Sequence, residues 1–93
     1  MPQIIFAPSA LRDLERLREF LRPKNPAAAK RTAVVIVKAV QMLSQHPLMG
    51  KPADDDYREL PIAFGDSGYV VLYCYAEPTV IVVAVRHQKE VGF

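Results

Sequence analysis

The sequence predicts a single α+β domain over residues 1–93: a short strand, an αα-hairpin, then a three-stranded antiparallel meander, with the helices packed on one face of the sheet. Three observations predict it. From Tyr57 to Phe93, three apolar runs rich in Tyr, Val, Ile and Phe are split by Gly65-Asp66-Ser67-Gly68 and by Glu77-Pro78-Thr79. Such runs suit a pleated, half-buried surface, and the splits carry turn chemistry. Before them lie two stretches whose apolar residues recur every three or four positions. Finally, 93 residues with 51% apolar content suffice for one core but not two.

The elements follow in order. Pro2 to Ala7 carries Ile4, Ile5 and Phe6 and reads as the first strand. Pro8-Ser9 marks a boundary, with Ser9 expected to cap a helix from Ala10. Leu11, Leu14, Leu17 and Leu21 keep helical spacing, and Pro23 ends the helix near Arg22. The arginines and glutamates between them form a charge-paired outer face. Asn25-Pro26 starts the second helix: Asn caps, and Pro at the first position loses no bond. Ala29, Ala33, Ile36, Val40 and Leu43 keep its spacing, so it is expected to run from Pro26 to about Gln45, ending at His46-Pro47. The stretch 46–56, including the acidic run Asp54-Asp55-Asp56, is expected to be a connecting loop.

Alternation assigns faces to the meander. Leu60, Ile62 and Phe64 share one. Val70, Leu72 and Cys74 are expected to face the helices, leaving Tyr69, Val71, Tyr73 and Tyr75 half-exposed. The last run is apolar on both faces and is expected to be interior, with Ile81, Val83 and Val85 on one side.

Composition excludes more than it identifies. A net charge of +2 does not mark a nucleic-acid binder. One cysteine, Cys74, rules out an internal disulfide and fits a reducing compartment. No secretory signal is visible, and the longest apolar run is far short of a membrane span, so a cytoplasmic protein without membrane contact is expected. His46 and His87 are isolated, so neither a metal site nor a cofactor is expected. Ser67 and its glycines sit in a hairpin and not before a helix, which argues against a nucleophile or a phosphate loop.

One set of residues has the chemistry of a site. Arg86, His87 and Lys89 lie together at the end of the last run, and Arg58 opens the second strand. His moves protons near neutral pH, while Arg and Lys hold phosphate or a developing anion. Those are the parts RNA cleavage requires. The same residues also read as an ordinary strand end, with Arg58 paired to Glu59 or the acidic run.

Six segments in order resemble the RelE/ParE superfamily of type II toxin–antitoxin toxins: Ala10-Leu11-Arg12-Asp13-Leu14, Asn25-Pro26-Ala27-Ala28-Ala29, Pro47-Leu48-Met49-Gly50-Lys51-Pro52, Tyr57-Arg58-Glu59-Leu60, Gly68-Tyr69-Val70-Val71-Leu72-Tyr73 and Val85-Arg86-His87-Gln88-Lys89-Glu90. The resemblance covers nearly the whole chain. It implies a RelE/ParE-like fold and a growth-inhibiting toxin, of the kind that stabilises plasmids, neutralised by a cognate antitoxin in a hetero-oligomer. The long second helix and its Asn-Pro-Ala-Ala start are nearer the ParE branch, which implies a ParD-like antitoxin and DNA gyrase as the target. RelE-like members instead cut mRNA on the ribosome; that alternative would use His87, Arg86, Arg58 and Lys89. An inactive relative that only binds its antitoxin is the third reading. The resemblance implies an antitoxin wrapped on the helices, with Leu11, Leu14, Leu21, Ala29 and Ala33 as the expected contacts.

Overall fold

The computed structural model describes residues 2–65 and 67–90. Asp66 of the first meander turn and the closing Val91-Gly92-Phe93 lie outside the described residues. Strand β1 (Gln3–Phe6) leads into helix α1 (Pro8–Leu21) and helix α2 (Pro26–Gln41), which ends in a 3-10 turn over Met42–Ser44. Strands β2 (Lys51–Pro52), β3 (Tyr57–Phe64), β4 (Ser67–Ala76) and β5 (Thr79–His87) complete one five-stranded sheet of order β1-β5-β4-β3-β2. The meander β3-β4-β5 is antiparallel as expected, and β1 joins it by pairing parallel with β5, Ile4 opposite Val80 and Phe6 opposite Val82. The last strand is thus interior, with a neighbour on each side.

Both helices pack on one face of the sheet. Their apolar stripes, Ala10, Leu14 and Leu17 on α1 and Ile36 and Val40 on α2, meet Leu60, Ile62, Val71, Val80, Val82 and Val85 from the strands. Removing such side chains from water contributes roughly 1.5–3 kcal/mol each. Asn25 caps α2 as predicted, its side chain accepting from the Ala28 N–H at 3.0 Å.

The sheet faces correct the sequence reading. Tyr69, Val71 and Tyr73 point into the core, with Tyr73 fully buried, whereas Val70, Leu72 and Cys74 are half-buried on the helix-free face. Both rows are apolar, so alternation alone could not orient β4. The tyrosines can be buried because their hydroxyls find partners. Tyr73 Oη donates to Pro47 O at 2.8 Å and accepts from the Gly50 N–H at 2.9 Å. Tyr69 Oη lies 3.2 Å from Thr32 Oγ1, whose own proton goes to Ala28 O.

A break in the β4–β5 register produces the second correction. Leu72 lies opposite Ala84 but Tyr73 lies opposite Val82, which leaves Val83 as an extra residue. This bulge flips the alternation, so Val80, Val82 and Val85 are buried while Ile81 and Val83 are not. The expected set Ile81, Val83 and Val85 therefore does not share a face.

Three local expectations also change. Ser9 does not cap α1: the helix begins at Pro8 after Ala7 with no side-chain cap, and Ser9 Oγ donates to the Val83 carbonyl. Helix α2 stops at Gln41 and not near Gln45, because the chain tightens into the 3-10 turn there. The connecting loop contains β2, whose two residues pair with Arg58 and Glu59.

Candidate functional site

The last turn of β5 gathers three of the four sequence candidates. His87 ends the strand, its ring edge-on to Tyr69 with centroids 5.6 Å apart. Its Nδ1 accepts from the Lys89 N–H at 3.1 Å. The Arg86 Nη1 donates to the carbonyls of His87, Gln88 and Glu90 at 3.1–3.3 Å, which folds the chain back around the guanidinium. Helix α1 closes this turn from outside: Arg16 forms a bidentate pair with Glu90, at 2.8 and 3.2 Å. Such fork-to-carboxylate pairing favours both charged forms. Accordingly the Arg16 hydrogen bond holds the Glu90 carboxyl below its ordinary value, with burial opposing, and the same bond holds Arg16 above its own.

Arg58 does not join this group. It lies in register with Tyr73, whereas His87 lies in register with Tyr69, four residues along β4. At about 3.3 Å per residue the offset along the strand is roughly 13 Å, to which the intervening strand adds. The Arg58 guanidinium instead donates to Gly50 O at 2.7 Å and Leu48 O at 3.2 Å. Together with Tyr73 it ties down the His46–Lys51 loop. Burial raises the Tyr73 pKa, against the Gly50 hydrogen bond and the Arg58 charge. The loop backbone is thus fixed while the Leu48 and Met49 side chains stay exposed. Beneath Leu48 a cleft of about 420 Å³ opens between the β2–β3 turn and the end of β4, with Tyr57, Tyr75 and Ala76 in its wall and Asp55 and Asp56 at its rim.

The expected antitoxin contacts divide. Leu14 and Ala29 are buried in the chain's own core, so neither presents a surface to a partner in this conformation. Leu21 and Ala33 are half-buried and Leu11 is exposed. Phe20 and Val34, which the sequence reading passed over, are exposed on the same two helices. Their signal was an apolar residue one position off the core stripe.

Sequence reasoning also missed Ser9, Asp13 and Arg16. Strand β1 ends at Phe6, so β5 loses its neighbour on that side beyond Val82. Helix α1 takes over: after Ala7 N–H donates to Val82 O, Ser9 donates to Val83 O, Asp13 Oδ2 accepts from the Val85 N–H at 2.9 Å, and Arg16 holds Glu90. The spacing of four and then three places these side chains on one stripe of the helix, beside the apolar stripe.

Among the described residues no cluster of His, Cys, Asp and Glu is arranged to hold a metal ion, and no helix is long and apolar enough to cross a membrane.

Comparison with known proteins agrees with this architecture. The chain is 34% identical to toxin RelE3 of Caulobacter vibrioides over 90 residues, covering 97% of this chain and 98% of the relative. It is 32% identical to toxin RelE2 of the same organism, covering 94% and 96%. Among solved structures, the chromosomal ParDE toxin–antitoxin system from P. aeruginosa superposes with a TM-score of 0.80 at 15% identity, over 96% of this chain and 98% of that one. The toxin–antitoxin complex RelBE2 from Mycobacterium tuberculosis superposes with a TM-score of 0.63 at 25% identity, over 96% and 93%. The family model for the ParE toxin of the type II toxin–antitoxin system parDE matches residues 4–92. The chain therefore belongs to the ParE toxin family, within the RelE/ParE superfamily of type II toxins.

Proposed function

We propose that this toxin arrests growth by binding DNA gyrase and trapping its cleaved complex, and that a ParD-like antitoxin neutralises it in the cytoplasm. The observation that carries this reading is the separation of Arg58 from the turn that gathers Arg86, His87 and Lys89. Acid–base cleavage of RNA needs a base, an acid and phosphate-binding cations converging within about 3 Å of the reacting atoms. Here Arg58 is held by the loop at the far end of β4, and Arg86 is wrapped by the carbonyls of its own turn. With Arg58 held apart, the geometry supports binding through a surface over acid–base cleavage by this set. The match to the ParE model supports the same branch.

An antitoxin partner is supported by the two superposing structures, a ParDE toxin–antitoxin system and a RelBE2 toxin–antitoxin complex. Its contact surface is proposed on the helical hairpin, where Leu11 is exposed and Leu21 and Ala33 are half-buried, with Phe20 and Val34 beside them.

The RelE names of the curated relatives favour a second reading, ribosome-dependent mRNA cleavage with His87 as the acid or base. A third, an inactive relative that only binds its antitoxin, predicts no effect on either target. The experiment combines purified chain, freed of antitoxin, with gyrase, supercoiled plasmid and ATP. Accumulation of linear, gyrase-linked DNA is expected. Folded protein that stops growth in cells yet leaves plasmid topology unchanged would overturn the gyrase reading and point to the ribosome.

A further inference from the structure

The cleft below the His46–Lys51 loop lies at the end of the sheet away from His87 and combines features that a solvated loop does not need. Leu48 is 58% exposed and Tyr57 37% exposed, although each neighbours backbone that is fixed in place. Leu48 O and Gly50 O are held by Arg58, Pro47 O and Gly50 N by Tyr73, and Tyr57 O by the Ala53 N–H. Fixing the backbone that carries exposed apolar side chains removes part of the ordering cost of binding, which suits an interface anchor. The cleft is big enough, at about 420 Å³, to take a side chain from another molecule.

Charge selects the occupant. Asp54, Asp55 and Asp56 lie at or beside the rim, and Glu77 follows the wall residue Ala76. Among the described residues no ion pair involves Asp54, Asp55 or Asp56, since the ion-paired arginines, Arg16, Arg18 and Arg22, are on α1 or at its C-terminal cap. The Arg58 guanidinium, in the wall itself, donates to loop carbonyls but keeps its charge, so Asp55 and Asp56 outnumber it in the lining two to one. This net negative balance beside the apolar surfaces of Leu48, Tyr57 and Tyr75 disfavours phosphate and so argues against nucleic acid. It matches a cation whose neighbour is apolar.

We infer that this cleft docks a polypeptide segment of a partner protein in which an Arg or Lys stands next to an apolar residue, the apolar side chain packing on Leu48 and Tyr57 and the cation meeting Asp55 and Asp56. The surface is separate from the helical hairpin proposed for the antitoxin. It also stands independently of which target the toxin poisons.

The test is a ¹H–¹⁵N titration of the full chain with acetyl-Leu-Arg-Leu-Arg-Leu-amide, and in parallel with acetyl-Leu-Glu-Leu-Glu-Leu-amide. The basic peptide is expected to shift amides in 48–58 and 74–76 saturably, with affinity falling roughly threefold or more between low and physiological salt. The Asp55→Asn/Asp56→Asn double variant is expected to lose the response; Asn tolerates the positive φ of 56° at Asp55, so the turn survives. Equal shifts from the acidic peptide, or shifts from the basic peptide only on the helices, would overturn the inference. So would concentration-dependent shifts of the same amides without peptide, which would mean that a second copy of the chain fills the cleft.

Discussion

Asp13 accepts a hydrogen bond from the backbone N–H of Val85, 72 residues away, at 2.9 Å. A carboxylate on the first helix thus does the work of a neighbouring strand for the last one, where β1 has run out. Removing it leaves a partly buried N–H without a partner. Asp13→Ala is therefore expected to lower stability by about 1–3 kcal/mol. Asp13→Asn keeps an acceptor oxygen and should cost less. Urea unfolding of the two variants checks both the size and the order; equal losses would show that the charge, and not the acceptor, matters.

The corrected sheet face gives a sharper contrast. Val71 is fully buried and Leu72, its chain neighbour, sits half-buried on the helix-free side. Val71→Asp places an unpaired charge in the core, at a cost of several kcal/mol, and is expected to prevent folding. Leu72→Asp is expected to give a soluble protein that still melts cooperatively. Circular dichroism melts of both decide it, and an unfolded Leu72→Asp would reverse the face assignment.

The order of elements was legible in the sequence because each one carries its own punctuation: Asn25-Pro26 opening a helix, Pro23 closing one, Glu77-Pro78 turning the chain. The faces were not, for a physical reason. Alternation identifies the buried side only when the other side is polar, and β4 is apolar on both. What decides is whether Tyr69 and Tyr73 find hydroxyl partners, and those partners, Thr32, Pro47 and Gly50, lie 23 to 37 residues away. The Val83 bulge was equally hidden, because one inserted residue leaves no mark in the six-residue apolar run Val80–Val85. At the site, the grouping of Arg86, His87 and Lys89 is given by sequence proximity alone. The exclusion of Arg58 depends on strand register, which spacing does not reveal.

Gly50 is expected to resist substitution. A Cβ there would lie 2.7 Å from the Tyr73 ring and hydroxyl and 2.9 Å from Glu59 O. Gly50→Ala must break the contact that anchors the loop. Faster hydrogen exchange at residues 48–50 and a lower Tm are expected, roughly 4–8 °C for each kcal/mol lost. Tyr73→Phe should loosen the same amides without the steric clash.

The Arg16–Glu90 pair predicts a modest acid dependence. The Glu90 carboxyl is held below its ordinary value of 4.5, so its contribution is present above that pH and is lost as pH falls through the lowered folded-state value. Both side chains are more than a third exposed, so solvent screening limits the contribution to under about 1 kcal/mol. Glu90→Gln is expected to flatten the acid limb of the stability–pH curve slightly and leave neutral-pH stability within that margin. A curve superimposable on the wild type would show that the pair contributes nothing.

His87→Ala separates the two readings of the toxin. Under gyrase binding, growth arrest persists, because no proton transfer passes through the ring. Abolished toxicity with intact folding and antitoxin affinity would restore acid–base catalysis at His87.

The dependence of the first third of the chain on the last strand has a consequence during synthesis. Strand β1 and helix α1 dock on residues 79–90, so neither has its lattice of partners until those residues have been translated. Contacts spanning most of the chain form late and slowly. A nascent copy lacking these residues is therefore expected to stay unfolded, and the fold matures only once they have emerged. A partner that recognises the folded surface has its target only from that moment.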